Sequence, residues 1–320
     1  MKELRITPLV AFFTMASVIL LGCADKQKSV PETVGLSLTF EKGAVAEVWI
    51  IDTKIFDEPE PSWQSTWKAE LEVIDANPGK PILSWTLKSV EVRDELHDKS
   101  KPQDEEIFLD IPVQFVANAK GQPQALRNRE AVLKNLQENA ELPKFKQSPW
   151  NDMMPMFEFM SDAVLLAIFS ETLDIMSICQ GTEMKVGEIL EYQEAFENSD
   201  SAIVRLGGQI AHMGKLKSNI SYSYFDKLDF PDGSNIALIG YKSEIDVESQ
   251  KALYRERARK YDIPPVSDTE LDADLYKSNE TADCQVNSET GWVRQMSYFN
   301  QLEASGKTEN RSFFASLKWK

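Results

Sequence analysis

The sequence predicts an α+β body in which curved antiparallel sheet packs around one or two central helices. Three observations lead there. Short runs of alternating apolar and polar residues recur along most of the chain, separated by Gly, Pro, Asn and Asp. One stretch, Met156 to Ile178, is apolar nearly all the way round a helix. The 320 residues are 42% hydrophobic and 10% aromatic, which is enough to fill a sizeable core.

The strands follow in order. Val34, Leu36, Leu38 and Phe40 alternate with polar or small residues, and Val45 to Ile51 is apolar on both faces, as expected of a central strand covered on each side. Beyond the acidic loop Asp57 to Pro61, the residues Trp63, Ser65, Trp67, Ala69, Leu71 and Val73 share one face, while Gln64, Thr66, Lys68, Glu70 and Glu72 share the other. Asn77-Pro78-Gly79-Lys80 supplies a tight turn, and the alternation resumes at Leu83, Trp85 and Leu87, which completes a hairpin. After a charged loop from Asp94 to Glu106, Ile107, Leu109, Ile111, Val113 and Phe115 form a further alternating run. Pro112 marks it as an edge or a bulged strand.

Asn118 to Gln124 reads as a turn around Gly121, and Asn128 is placed to cap a short helix from Arg129 to about Asn139. A loop with Pro143, Pro149 and Pro155 leads into the Met156 to Ile178 helix. Glu158, Asp162, Glu171 and Asp174 leave it only a narrow polar stripe, so it must be buried on most of its surface, and Gly181 is placed to end it. Strand composition returns at Lys185 to Glu197, Ala202 to Ile210, Ser218 to Leu228 and Asn235 to Val247. Glu248 to Tyr261 is a charged helix, Asp262 to Asp283 an irregular excursion, and strands near Trp292 to Leu302 and Ser312 to Trp319 close the chain about a turn at Ser305-Gly306-Lys307.

The amino terminus carries the sharpest motif. Lys2 and Arg5 make a positive start, Ile6 to Leu21 is an apolar run of 16 residues, and Leu20-Leu21-Gly22-Cys23 follows. A membrane-spanning helix needs roughly 20 apolar residues, so the run is too short to cross. The pattern resembles bacterial lipoprotein signal peptides. That resemblance implies diacylglycerol on the Cys23 thiol, cleavage after Gly22 and acylation of the new terminus, giving residues 1–22 as signal, 23–32 as lipidated cysteine and tether, and 33–320 as the body. The body reads as one domain or as two intimate halves, 33–155 and 156–320. In the Gram-negative lipoproteins that the pattern resembles, Ala rather than Asp after the cysteine, as at Ala24, implies an outer-membrane, periplasm-facing location, with the cell surface as the alternative.

With Cys23 lipidated, Cys179 and Cys284 remain, and an even remainder in an oxidising compartment predicts a disulfide across a separation of 105 residues. A pair of buried free thiols is the alternative. There is no CxxC pair for redox catalysis. The net charge of −16 excludes nucleic acid as an expected partner, because a chain so acidic is repelled by a polyanion. The two histidines, His97 and His212, sit in no metal-binding spacing, and no GxSxG, P-loop or GxGxxG occurs. Asp268, Glu270, Asp272 and Asp274 are the right donors for calcium but lack the glycine of an EF-hand loop, so a solvated acidic loop is expected. No cofactor and no catalytic residue is assigned.

The remaining candidate is the aromatic face of the hairpin, Trp63, Trp67 and Trp85. It is either core packed against the Met156 to Ile178 helix or part of an apolar groove for a hydrophobic ligand. A lipid-anchored curved sheet with helices in its concavity is similar in architecture to the half-barrel carriers and receptors of the LolA and LolB kind, with no motif in the body to carry that likeness further. The expected role is a non-enzymatic envelope scaffold or maintenance protein anchored to the membrane by lipid. The alternatives are a binder of a lipid or hydrophobic ligand, and a glycan hydrolase. A filled core with an apolar patch outside points to the scaffold, a cavity under the tryptophans to the binder, and two facing acids in a cleft to the hydrolase.

Overall fold

The computed structural model describes residues 33–56, 63–77, 79–94, 104–146, 148–181, 183–196, 216–230, 234–260, 264, 267, 277–304 and 307–320. Thr33 to Lys320 forms one compact unit. Its strands are β1 (Thr33–Gly35), β2 (Val45–Phe56), β3 (Trp63–Asp75), β4 (Ile82–Asp94), β5 (Val113–Ala117), β6 (Pro123–Leu126), β7 (Glu183–Lys185), β8 (Ile189–Phe196), β9 (Leu216–Asp229), β10 (Asn235–Ile245), β11 (Lys277–Asn287), β12 (Val293–Ala304) and β13 (Lys307–Trp319). The helices are α1 (Arg129–Ala140), α2 (Pro149–Phe159), α3 (Asp162–Met176) and α4 (Val247–Lys260).

Eleven strands make one open antiparallel sheet in the order β6-β5-β4-β3-β2-β13-β12-β11-β10-β9-β8, and β1 pairs with β7 apart from it. Each neighbour in the two meanders, β2 to β6 and β8 to β13, is also a neighbour in sequence. The meanders meet where β2 pairs with β13, from Ala46 opposite Trp319 to Phe56 opposite Glu309. One sheet therefore runs through both halves of the body.

Alternation decides which side is wet. Ala46, Val48 and Ile50 of β2, Ala69, Leu71 and Val73 of β3, and Phe313, Ala315 and Leu317 of β13 are all buried on one face, here called inner. The expectation that β2 is covered on both faces is not met. Although β2 is central in the sheet, Trp49 on its outer face is 41% exposed. The apolar run there reflects an uncovered outer face rather than a second packed layer.

Helix α3 covers part of the inner face. It touches β5, β6 and β12, and its Leu165, Leu166 and Leu173 belong to the same core cluster as Leu71, Leu83 and Trp85 of the hairpin. The single helix expected from Met156 to Ile178 is two helices. Ser161 adopts an extended conformation, φ −66° and ψ 158°, and its side chain accepts a hydrogen bond from the Val164 amide, so it ends one helix by capping the next. Pro149 starts α2 and Pro155 lies inside it, where a loop was expected. Burial also differs between the two, since Met156 and Phe159 of α2 are 55% and 87% exposed.

Other departures have local causes. Asn128 precedes α1, but its side chain does not cap it. The amide instead accepts from Gln114 N at 2.9 Å and donates to Pro112 O at 2.8 Å, pinning the entry to β5. Ile107 and Phe108 end a 3-10 turn rather than beginning a strand, and the strand starts only after Pro112. Leu36 is buried and Leu38 and Phe40 pack on the core as the alternation implies, yet the chain leaves β-pairing at Gly35. Lys277 to Asp283, placed at the end of the irregular excursion, belongs to β11, an interior strand of the sheet paired with β10 and β12. The expected strand Ala202 to Ile210 lies outside the described residues.

Candidate functional site

The tryptophan face divides by depth. Trp85 is 4% exposed and opposite Leu71 in the β3–β4 register. Trp67 is half-buried, packs on the core, and donates through Nε1 to Ser65 Oγ. Trp63 lies further out on β3, with Lys54 Nζ 5.7 Å from its ring centroid. Trp63, Trp67 and Leu71 share one face through the alternation of β3, and the pairing of Leu71 with Trp85 brings Trp85 to the same face. Cys179 and Cys284 are joined by a disulfide with Cα atoms 6.4 Å apart, tying the segment after α3 to β11. Next to it, Tyr222 Oη donates to Ile178 O at 3.0 Å. Cys23, His97, His212, Asp268, Glu270, Asp272 and Asp274 lie outside the described residues. Among the described residues no group of three or more His, Cys, Asp and Glu is arranged to hold a metal.

The inner face also holds one buried ionic cluster. Arg311 on β13 donates from Nε and Nη2 to the two carboxylate oxygens of Asp52 on β2, at 2.9 and 2.7 Å, and from Nη1 to Glu171 on α3. Burial works to lower the Arg311 pKa, but the hydrogen bond to Asp52 and the charge of Glu171 outweigh it and hold the guanidinium above its ordinary range. The cluster fastens α3 to the centre of the sheet.

A second assembly was not foreseen. Between the β11–β12 turn, the segment from Thr39 to Ala44 and the end of β13 there is a recess of about 660 Å3. None of Trp63, Trp67 and Trp85 lines it. Trp292 and Trp319 do, with ring centroids 5.0 Å apart at 63°, and Phe40 meets Trp292 edge-on at 5.6 Å. Trp292 Nε1 donates to Thr39 O at 2.9 Å. Trp319 Nε1 is buried, with no hydrogen-bond partner among the described residues. Arg294, Lys318, Lys320 and Glu41 are its charged lining residues. The Arg294 guanidinium stacks 4.7 Å from the Phe230 ring and donates to Ser234 Oγ at 3.1 Å. Lys320 lies 3.0 Å from Glu47, whose hydrogen bond raises the lysine pKa.

Glycine makes the close approach possible. Gly291 has φ +72°, and a Cβ there would stand 2.5 Å from Ser37 O, so only glycine lets the β11–β12 turn sit against the chain that presents Thr39 and Phe40. Asn287 shapes the same turn by accepting from the amides of Glu289 and Thr290.

On the outer face, apolar residues form a contiguous row across β2, β13 and β12. Ile51 is opposite Phe314, Trp49 meets Phe314 edge-on at 6.0 Å, and Phe299 lies diagonally beyond, on the strand where Ser297 is opposite Phe314. Trp49, Ile55 and Phe299 are 41%, 48% and 42% exposed. Among the described residues, no helix is long and apolar enough to cross a membrane.

No family model and no characterised protein matches the sequence. Among solved structures, the chain is similar to lipovitellin, described for its lipid–protein interactions, at 10% identity and a TM-score of 0.38, over 88% of this chain. It spans only 25% of the length of lipovitellin. A second likeness is to an outer membrane channel of Pseudomonas putida F1, at 6% identity and a TM-score of 0.20, covering 88% of this chain and 98% of that one.

Proposed function

We propose that the chain is an outer-membrane lipoprotein, held at the periplasmic face by acyl chains on Cys23, and that its body is a non-enzymatic scaffold for other envelope proteins. The observation that supports the scaffold role is the outer row of Trp49, Ile51, Phe314 and Phe299, set on a sheet whose inner face is filled beneath Trp85. An exposed apolar row on a hydrogen-bonded sheet is a surface that gains by being covered. Eleven twisted strands rarely stay flat, so the sheet is taken to curl with α3 in its concavity.

Two experiments test this. Cys23→Ser should leave unprocessed precursor or released soluble protein, and membrane retention like that of the wild type would refute the anchor. Trp49→Lys with Phe299→Lys should fold yet lose the envelope proteins that crosslink to the wild type in intact cells. Unchanged crosslinking would remove the outer row from the function.

The second reading, a binder of a hydrophobic ligand, is favoured by the recess at Trp292 and Trp319, whose size lies within the roughly 300–1,000 Å3 of small-molecule sites. A hydrolase needs two facing acids, and among the described residues Glu41 is the sole acid lining that recess.

A further inference from the structure

We propose that the body rests on the bilayer through an apolar patch on the outer face of the sheet, formed by Ile189 and Phe225 beside the point where the tether enters. The proposal rests on the lipoprotein reading above and goes beyond it, since an anchor alone leaves the orientation of the body open. Ile189 opens the edge strand β8 and is 64% exposed, and Phe225 on β9 is 61% exposed. Leu190, opposite Tyr222, packs on the core, so Ile189, opposite Ser223, points outward. Phe225 is the extra residue of a bulge in β9, with Tyr224 opposite Ile239 and Asp226 opposite Leu238. Its ring lies over Gly240, where a Cβ would stand 2.6 Å from it, so a residue with a side chain does not fit beneath the ring. An edge strand is ordinarily protected by charge, and two large apolar side chains held out there make a surface that gains by burial.

The tether names the occupant. Thr33, ten residues past Cys23, pairs with Lys185 in the β1–β7 ladder. Lys185 to Glu188 is a tight turn, closed by the Glu188 amide donating to Lys185 O at 2.8 Å, and Ile189 follows it directly. The Gly187 amide donates to the carbonyl of Tyr224, the residue before Phe225, and the Tyr224 amide donates to Glu188 O. The tether therefore enters the body one turn of chain away from the patch. Ten residues reach at most ~35 Å, so acyl chains on Cys23 keep the start of β1 within that distance of the bilayer. Docking then becomes intramolecular, and a patch too small to hold a free body on lipid suffices once the anchor has placed it there. Charge selects the kind of lipid. Lys185 and Lys227 stand beside Glu188, Glu191 and Asp226, which leaves no positive excess among these residues to attract an anionic surface. The bilayer that suits the patch is zwitterionic, and docking on it should be insensitive to salt.

The test uses residues 23–320, which retain the whole compact unit from Thr33. With Cys179 and Cys284 joined, Cys23 is the thiol left for coupling to a maleimide phospholipid in phosphatidylcholine vesicles. Photoreactive p-benzoylphenylalanine replaces Phe225 in one chain and Phe299, on the outer row, in another. The chain labelled at Phe225 should give ~tenfold more lipid adduct than the one labelled at Phe299, undiminished at high salt, and adding Ile189→Asp should reduce that adduct severalfold. In the unmodified chain, coupling to vesicles should slow amide exchange severalfold at residues 186–191, a readout that does not depend on how a substituted chain folds. Equal lipid adducts at the two positions, or exchange unchanged by coupling, would overturn the docking and leave the body hanging free of the bilayer. A protein adduct in place of a lipid adduct at Phe225 in intact cells would overturn it too, and would make the patch a protein interface. Because the lipid is attached chemically, none of these results bears on the natural anchor, whose own test is Cys23→Ser.

Discussion

The two faces of the sheet carry matching parts at different depths. On the inner face are Trp85, 4% exposed, and the ion pair of Arg311 with Asp52, whose side chains are 16% and 8% exposed. On the outer face are Trp49, 41% exposed, and the ion pair of Lys320 with Glu47, whose side chains are 52% and 65% exposed. Trp49 and Trp85 lie on strands of the same sheet, and both ion pairs involve β2 and the end of the chain. Depth alone sets what each contributes. Buried contacts hold the fold together, whereas exposed ones are free to be used for something else.

The largest expected effect comes from the tryptophans. Trp85→Ala empties a site surrounded by Leu71, Leu83 and Leu87 and should destabilise by about 3–5 kcal/mol in denaturant unfolding. Trp49→Ala loses one edge-on contact with Phe314 and should cost about 1 kcal/mol. Equal losses would mean that the outer face is covered in solution, which would itself favour a partner.

Next comes the buried charge. Asp52→Ala removes both acceptors of the Arg311 fork and leaves a guanidinium buried beside Glu171 alone, a change that should cost about 3 kcal/mol or more. Because Glu171 is on α3, the loss should appear first as faster hydrogen exchange in α3. Unchanged protection of α3 would show that apolar packing alone holds the helix. Breaking the disulfide with Cys179→Ala and Cys284→Ala should cost about 2–4 kcal/mol and loosen the same region from its carboxyl end.

Alternation was legible wherever a strand sorts large apolar residues to one side. β3, β4, β12 and β13 do so, and their places follow from the pattern. β11 does not. Its inner face is made of Ser278, Ala282, Cys284 and Val286 among charged and polar residues, so the strand is held by its neighbours' backbones more than by its own hydrophobicity. The break at Ser161 was masked by the apolar residues on both sides of it, and the signal for it was the Ser161-Asp162 pair, an N-cap followed by an acid in the first turn. The recess could not have been read at all. Its parts, Thr39, Trp292 and Trp319, come together through a hydrogen bond spanning 253 residues and through the pairing of the first long strand with the last. What could have drawn notice is Trp319 itself, an indole flanked by Lys318 and Lys320 at the chain's end.

The smallest effect belongs to Glu47 and Lys320, and its sign separates the faces most cleanly. The hydrogen bond from Lys320 lowers the Glu47 pKa, so the pair's contribution is present above the pKa of an unfolded glutamate and is lost as pH falls through the folded value. The same bond raises the Lys320 pKa, so the contribution persists below the unfolded lysine pKa and is lost as pH rises through the folded one. The pair therefore acts across the neutral range and fails at both ends. Being exposed, it should also fail with salt, since at 1 M the screening length is about 3 Å. NMR titration of the Glu47 carboxyl should find a depressed midpoint at low salt that relaxes toward the ordinary value at 1 M, with Glu47→Gln leaving the denaturant midpoint essentially unchanged. The Arg311 cluster, shielded beneath α3, should keep its contribution in the same salt series. A Glu47 midpoint that stays depressed at 1 M would mean that this pair, too, is sheltered from solvent, and that the two ends of β2 are less different than their exposure indicates.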